Sequence, residues 1–422
     1  MRRLLAQNLL IPAVLLLAPA ASAQDLTTTI ADALSHSPSL AQAQSEEAVA
    51  KARFDAARAE RNPQGLVQGQ IGYGRIDNGG FFGIGPKNVT PLAVQVGAEM
   101  PLFTGGRLAA AQDQARDGVE LATLGMADAR SRIMVGAVAA YAEVLTARQI
   151  EARFRHLTGE LAEVERQACL RFKAGEIPAS ERAAATARRA EGEAGLANAE
   201  GRRVSAEAQY RRLTGHDASE LAPLPALPEV PATLDEAMDA AHHANPTLAQ
   251  AEKSIDIAKA GKRAAKADAM PTLGAFAEAS HTRDQFFPDY RADAVSVGIR
   301  GRWVLWSGGR NAAKRDEADA HLDASEARAR EARDQLDSAI ISAWTGLKTA
   351  HRMVSASAAR SAATAEALRS TQLEAKVGAK PTLAVLDAER EAIAAQAAEI
   401  EAQGQRLIAA WQLNALAGRL NP

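Results

Sequence analysis

The sequence predicts a mainly α chain with a small β part, in which long antiparallel coiled coils form the wall of a tube, an α-barrel, and short strand pairs contribute to a β-barrel. Three observations predict it. Nearly seventy residues from Gly105 to Ala174 pass without a proline, with eighteen apolar positions between Leu108 and Ala168 recurring about every 3.5 residues, the repeat of a coiled-coil seam. The chain repeats itself in two halves. Each half carries two strand-like stretches that alternate apolar and polar residues.

The opening residues read as a targeting segment. Arg2 and Arg3 precede an apolar run from Leu9 to Leu17, and Ala21-Ser22-Ala23 offers a small-residue cleavage site before Gln24. The run is too short to span a bilayer. Residues 1–23 are therefore expected to be a signal peptide removed on export. Its loss takes the formal charge from −2 to about −4, a balance that points to no nucleic-acid partner. Cys169 is the sole cysteine, so neither an intramolecular disulfide nor a cysteine metal cluster is expected, and its place beside the apolar seam marks it as a packed thiol. Beyond the signal no long apolar run offers a transmembrane helix, so a membrane-spanning part has to be a β-barrel.

The repeat is read from anchors in register. Ser37-Pro38-Ser39-Leu40-Ala41-Gln42-Ala43 returns as Asn245-Pro246-Thr247-Leu248-Ala249-Gln250-Ala251, 208 positions later. Further on the offset is 203: Gly105-Gly106-Arg107 matches Gly308-Gly309-Arg310, Tyr141 matches Trp344, Gly175 matches Gly378 and Pro178 matches Pro381. The first repeat is placed at 24–222, with a helix over about 26–62, strands over about 65–76 and 91–103, a long helix over about 105–174 and a return helix over about 179–214. A linker at 223–232 carries Pro223, Pro225, Pro228 and Pro231 and reads as extended. The second repeat is placed at 233–422, with a helix over about 233–270, strands over about 273–283 and 293–306, a long helix over about 308–377 and a return helix over about 382–418.

Each boundary has a local cause. Pro63 and Pro271 stop the first helices, and the pairs Gly105-Gly106 and Gly308-Gly309 break the chain between strand and long helix. Gly175 and Gly378, each followed three residues later by proline, make sharp reversals. In length, two short helices equal one long one, so short helices stack end to end beside a continuous partner. Along 92–100, Leu92, Val94, Val96, Ala98 and Met100 oppose Ala93, Gln95, Gly97 and Glu99. Similar alternation runs through 65–76 and 295–303, whereas 273–283 is less regular because Phe276 and Glu278 share a face. Taken singly, each strand also fits a soluble hairpin. Together, ten-residue strands with long glycine-rich loops fit an outer-membrane barrel, and four strands cannot close one, so the chain has to assemble with copies of itself.

The export signal, internal repeat, strand pairs, long helices and reversal glycines together resemble the TolC family of outer membrane efflux proteins over essentially the whole mature chain. The junctions Phe103-Thr104-Gly105-Gly106-Arg107 and Trp306-Ser307-Gly308-Gly309-Arg310 are similar to that family's, as is Val377-Gly378-Ala379-Lys380 followed by Val385-Leu386-Asp387-Ala388. The resemblance implies a homotrimer in the outer membrane, in contact with its lipid, with a twelve-stranded barrel and a long periplasmic tunnel. It implies a passive channel giving an exit duct for a tripartite efflux or type I secretion system, docked through a periplasmic adaptor (membrane fusion) protein to an inner-membrane transporter. It also implies a periplasmic gate, carried here by Asp387, with Lys380 pairing an acid at the place of Glu181, although Ala384 departs from a second acidic ring. The tips Gly175, Glu176, Pro178, Gly378, Ala379, Lys380 and Pro381 resemble adaptor contacts. Ordinary solvated helix ends and turn chemistry account for the same residues without a gate.

An enzyme is not expected. The sequence has no phosphate-cradling glycine loop after a strand, no nucleophile elbow and no metal-ligand spacing, and His242 and His243 are adjacent and point to different helix faces. No cofactor or metal is implied. The alternative class is an interaction protein of the same compartment, either a periplasmic coiled-coil adaptor or a trimeric surface protein. The polar strand residues Gln68, Gln70, Gln95, Glu99, Arg300 and Arg302 mix both signs, so drug, metal-ion and polypeptide cargo all remain open.

Overall fold

The computed structural model describes residues 24–77, 79, 83 and 85–420, and the expected signal peptide lies outside the described residues. The chain is mostly helical with a smaller sheet part. The elements are α1 (Leu26–His36), α2 (Pro38–Ala59), β1 (Gln64–Ile71), β2 (Gly74–Ile76), β3 (Lys87–Val89), β4 (Leu92–Phe103), α3 (Arg107–Lys173) and α4 (Ala179–Thr214), followed by α5 (Leu234–Ala244), α6 (Pro246–Ala267), β5 (Thr272–Arg283), β6 (Arg291–Arg302), α7 (Arg310–Lys376) and α8 (Thr382–Leu416). The long helices α3 and α7 each have 67 residues.

Three expected elements are divided, each for a local reason. The helix expected over 26–62 breaks at Ser37-Pro38, and that over 233–270 breaks at Asn245-Pro246. Proline disfavours a helical conformation in the residue before it and is well placed at a helix's first turn. Ser37 and Asn245 are extended and cap the helices that follow: Leu40 N donates to Ser37 Oγ at 3.3 Å, and Thr247 N and Leu248 N donate to Asn245 Oδ1 at 2.9 and 3.0 Å. The strand expected over 65–76 ends at Ile71, because the next residue, Gly72, faces Pro91, and β4 begins only after that proline. The strand expected over 293–306 ends at Arg302, where β5 runs out against Pro271.

The contacts divide the chain into two compact units. The first takes in α1, α4, the second half of α3, the end of α7 and most of α8. Its core is built from Val138, Tyr141, Val144, Leu157 and Leu161 of α3, Ala199, Ala206 and Tyr210 of α4, and Leu386, Ile393 and Leu407 of α8. Small residues set how closely these helices approach. A Cβ on Gly192 would lie 2.5 Å from Leu161 Cδ1, one on Gly195 2.7 Å from Phe154, and one on Gly404 2.8 Å from Thr146 Cγ2. Tyr141, fully buried, donates its hydroxyl to the Ala222 carbonyl at 2.6 Å, while Gln24 N donates to Glu220 O and Ala222 N to Gln24 O. These bonds pin the start of the described chain. Burial, the charge of Asp25 and then Tyr210 push the Tyr141 hydroxyl up to about 12.

The second unit holds the sheets, α2, α5, α6 and the remaining parts of the long helices. β1, β4, β5 and β6 form one antiparallel sheet in that order, and β2 pairs with β3 in a separate ribbon. Register puts Val67, Val96, Ala279 and Val295 in one cross-strand row, with Ala98, Ala277 and Val297, then Met100, Ala275 and Ile299 beside it on the same face. Val67, Val295, Val297 and Ile299 are each about 70 % exposed or more. The opposite face is polar: Glu278 accepts from Gln95 Nε2 at 3.2 Å and from Ser296 Oγ at 3.1 Å. The irregularity of β5 has a use there, since the guanidinium of Arg300 lies 4.4 Å over the Phe276 ring. Trp303 and Trp306, both well exposed, follow the end of β6. Among the described residues, α3 alone has a stretch apolar and long enough to cross a membrane, and that stretch is mostly buried in the chain.

Candidate functional site at the helix reversals and the strand junctions

Both strand-to-helix junctions are turns that require glycine. Gly105 and Gly106 have φ of 61° and 92°, Gly308 and Gly309 of 60° and 86°, all in the left-handed region. The hydroxyl before each pair starts the helix: Thr104 Oγ1 accepts from Leu108 N at 3.4 Å and Ser307 Oγ from Asn311 N at 3.2 Å. Within the second unit, these junctions couple the ends of β4 and β6 to α3 and α7.

The reversals lie in the first unit and share one geometry. At the first, Gly175 N donates to Phe172 O at 3.0 Å and Glu176 N to Arg171 O at 2.9 Å. At the second, Gly378 N donates to Ala375 O and Ala379 N to Glu374 O at 3.0 and 2.9 Å. This is the glycine stop that satisfies the last helical carbonyls, with φ of 76° at Gly175 and 78° at Gly378. Gly175, Glu176, Pro178, Gly378, Ala379, Lys380 and Pro381 are all exposed, whereas Ile177 is buried. Each turn is tied back to its own helix by an ion pair, Arg171 to Glu176 at 3.3 Å and Lys380 to Glu374 at 3.0 Å.

Within the chain the three residues expected at a gate are not brought together. Lys380 pairs with Glu374, and Glu181 carries no ion pair or side-chain hydrogen bond among the described residues. Asp387 instead accepts from Arg188 of α4 at 2.8 Å, and Arg188 also holds Glu191 at 2.7 Å. Glu191 in turn pairs with Arg390 of α8 at 3.3 Å. The hydrogen bond from Arg188 is the main reason that the Glu191 carboxyl sits below its ordinary range. Farther along the same two helices Arg202 meets Glu401 at 2.8 Å.

A second arrangement was not legible in the sequence. Glu389, buried on α8, faces Glu160 of α3. Burial, then the hydrogen bond with Glu160 and its charge, raise the Glu389 carboxyl to about 8, so near neutrality it keeps its proton. His156 lies 3.3 Å from Glu160. The pair borders a groove of about 460 Å³ that also exposes Arg153 and Gln372. Arg188, Arg390 and Glu389 belong to no motif in the sequence. The available signal was charge complementarity between two helices leaving matched reversals.

The outer membrane efflux protein family model matches residues 29–216 and again 237–419. The outer membrane efflux protein BepC of Brucella suis is 29 % identical over 285 residues, a match that covers 67 % of this chain and 62 % of the relative's length. Among solved structures, the Campylobacter jejuni CmeC outer membrane channel superposes with a TM-score of 0.84 at 13 % identity, covering 94 % of this chain and 87 % of that one. A membrane protein from Pseudomonas aeruginosa superposes with a TM-score of 0.82 at 21 % identity, covering 93 % and 90 %. The chain belongs to the outer membrane efflux protein family. The family expected from the sequence is thus the family found. It is a family of transport channels rather than of enzymes, and its place is the outer membrane.

Proposed function

We propose that three copies of this chain form an outer membrane channel, the passive exit duct of a tripartite efflux system. The observation that carries this reading is the four-stranded sheet. Among the described residues its edge strands β1 and β6 are unpaired on their outer sides, its apolar face is open, and its polar face carries mixed charge. Bare strand edges and a bare apolar face are tolerated together only where other copies and lipid cover them. Three such sheets give the twelve strands of a closed barrel, and the two-fold internal repeat supplies each protomer with two strand pairs and two long helices. The helices then line the duct through the periplasm, as the sequence resemblance implies.

In this reading the reversals meet a periplasmic adaptor protein, which links the duct to an inner-membrane transporter. Gly175, Glu176, Pro178, Gly378, Ala379, Lys380 and Pro381 form the contact. The gate lies just inside them, with Asp387 as its acid. Arg188 is its partner within the protomer, while Glu181, and Lys380 once it exchanges Glu374 for another acid, meet neighbouring protomers across the lumen. The test is fractionation combined with mass measurement. The protein should stay in the outer membrane after salt and carbonate washing and run as a heat-modifiable trimer. A monomer that washes off would instead support a periplasmic coiled-coil adaptor. Crosslinking from cysteines placed at Glu176 or Ala379 should capture the adaptor.

A further inference from the structure

The register of the large sheet places two arginines where its apolar face gives way to the loops. Ile71, Leu92, Arg283 and Arg291 are direct neighbours across β1, β4, β5 and β6, on the face that carries Val96, Ala279 and Val295. Arg283 and Arg291 stand opposite each other, an arrangement that costs stability when nothing lies between the two charges. The acids nearby are already engaged. Asp293, one row below, accepts from His281 at 2.6 Å. Asp284 accepts from the Asp289 backbone N–H at 2.7 Å and makes only a long pair with Arg283, at 3.5 Å. Arg283 has no other side-chain hydrogen bond or ion pair among the described residues, and Arg291 has none. Tyr73, 79 % exposed, lies just beyond Ile71 at the same end of the sheet.

We propose that Arg283 and Arg291 hold the phosphate of an anionic lipid in the leaflet on the loop side of the membrane. This rests on the reading of the apolar face as the lipid-facing surface of a barrel. Arginine in mid-membrane costs several kcal/mol but close to nothing at the interface, and these two occupy the last row of the strands, where that cost vanishes. Two arginines paired in register on neighbouring strands can bring their guanidinium forks to the oxygens of one phosphate and relieve their mutual repulsion by binding it. Below them the apolar rows accept the acyl chains, and Tyr73 marks the level at which amphipathic rings meet head groups.

The experiment uses the full mature protein in phosphatidylethanolamine nanodiscs doped with phosphatidylglycerol, with retained lipid counted by native mass spectrometry. Wild type should retain phosphatidylglycerol in preference to phosphatidylethanolamine. Arg283→Gln with Arg291→Gln should lower that preference by about fivefold per arginine, and the double lysine variant should keep most of it. An unchanged preference in the double glutamine variant would overturn the proposal. So would loss of the lipid to millimolar inorganic phosphate, which would mark a site for free anions. A protein that fails to enter the discs overturns the barrel reading as well, whereas one that enters and shows no preference overturns the lipid site alone.

Discussion

Arg188 of α4 and Asp387 of α8 meet at 2.8 Å across 199 residues of sequence. The same separation recurs for Glu191 with Arg390 and for Arg202 with Glu401. A constant separation means that α4 and α8 run parallel in a fixed register over the four turns from Arg188 to Arg202. It differs from the 203-residue offset of the sequence repeat by four residues, one helical turn. The contact therefore joins positions that are not equivalents in the repeat, and opposite charge at all three rungs selects this register over its neighbours.

In the proposed gate the first rung is the latch. Its side chains are partly exposed, 30 % for Arg188 and 46 % for Asp387, so the pair is worth about 0–1 kcal/mol and is easily opened. Arg188→Asp or Asp387→Arg alone should raise the conductance of the closed channel in planar bilayers by up to about fivefold, the factor that 1 kcal/mol supports. The exchanged pair should return it toward wild type. Equal conductance in all four proteins would remove Asp387 from the gate.

The long elements were legible because they depend on local pattern. The apolar spacing of Leu108 to Ala168 and the reversal glycines carry their structural meaning wherever the chain places them. Pro38 and Pro246 were legible as residues but were read inside continuous helices. With Ser37 and Asn245 before them they form caps, and a cap divides a helix that apolar spacing alone would join. The ladder and the Glu389–Glu160 pair were hidden for a different reason. Each depends on which face of α8 meets another helix, and a run such as Asp387-Ala388-Glu389-Arg390-Glu391 offers charge on every side.

Glu389 should make stability depend on pH. Its carboxyl is raised to about 8 in the fold and returns to an ordinary value near 4.5 when unfolded, so the folded state binds the extra proton. The stability it contributes is full below the unfolded value, falls as pH rises, and is lost once pH passes about 8. Glu389→Gln keeps a donor toward Glu160 without an ionisable group. Thermal unfolding followed by helical circular dichroism should show the wild-type midpoint falling between pH 5 and pH 8.5, and a flatter profile in the variant. His156 faces the same Glu160 at 3.3 Å, so His156→Gln in both backgrounds separates that contact from the contribution of Glu389.

Tyr141 ties α3 to the start of the described chain through one hydroxyl. Tyr141→Phe fills the same space and leaves the part-buried Ala222 carbonyl without its 2.6 Å donor. The expected loss is about 0.5–1.5 kcal/mol, the net worth of one hydrogen bond whose acceptor keeps some access to water. A lower denaturant midpoint and faster proteolysis near Gln24 should appear together. Tyr210→Phe is a useful comparison, because its hydroxyl meets Thr29 Oγ1 at 3.0 Å and leaves the carbonyls of this junction paired.

The two strand-to-helix junctions share a backbone but not a setting, and substitution should separate them. Gly105 and Gly308 have φ of 61° and 60°, so alanine at either adds the penalty of a left-handed residue, about 1–2 kcal/mol. At Gly308 the added methyl meets nothing within 4 Å. At Gly105 it would fall 2.3 Å from Met270 Cβ and 3.1 Å from the Ala267 carbonyl, groups fixed by the end of α6 that cannot swing aside as a side-chain tip does. Gly105→Ala should therefore lose about 1–3 kcal/mol more than Gly308→Ala through forced backbone displacement. Urea midpoints and the yield of folded protein after refolding measure the difference. Equal losses at the two sites would show that α6 does not pack on the first junction as described.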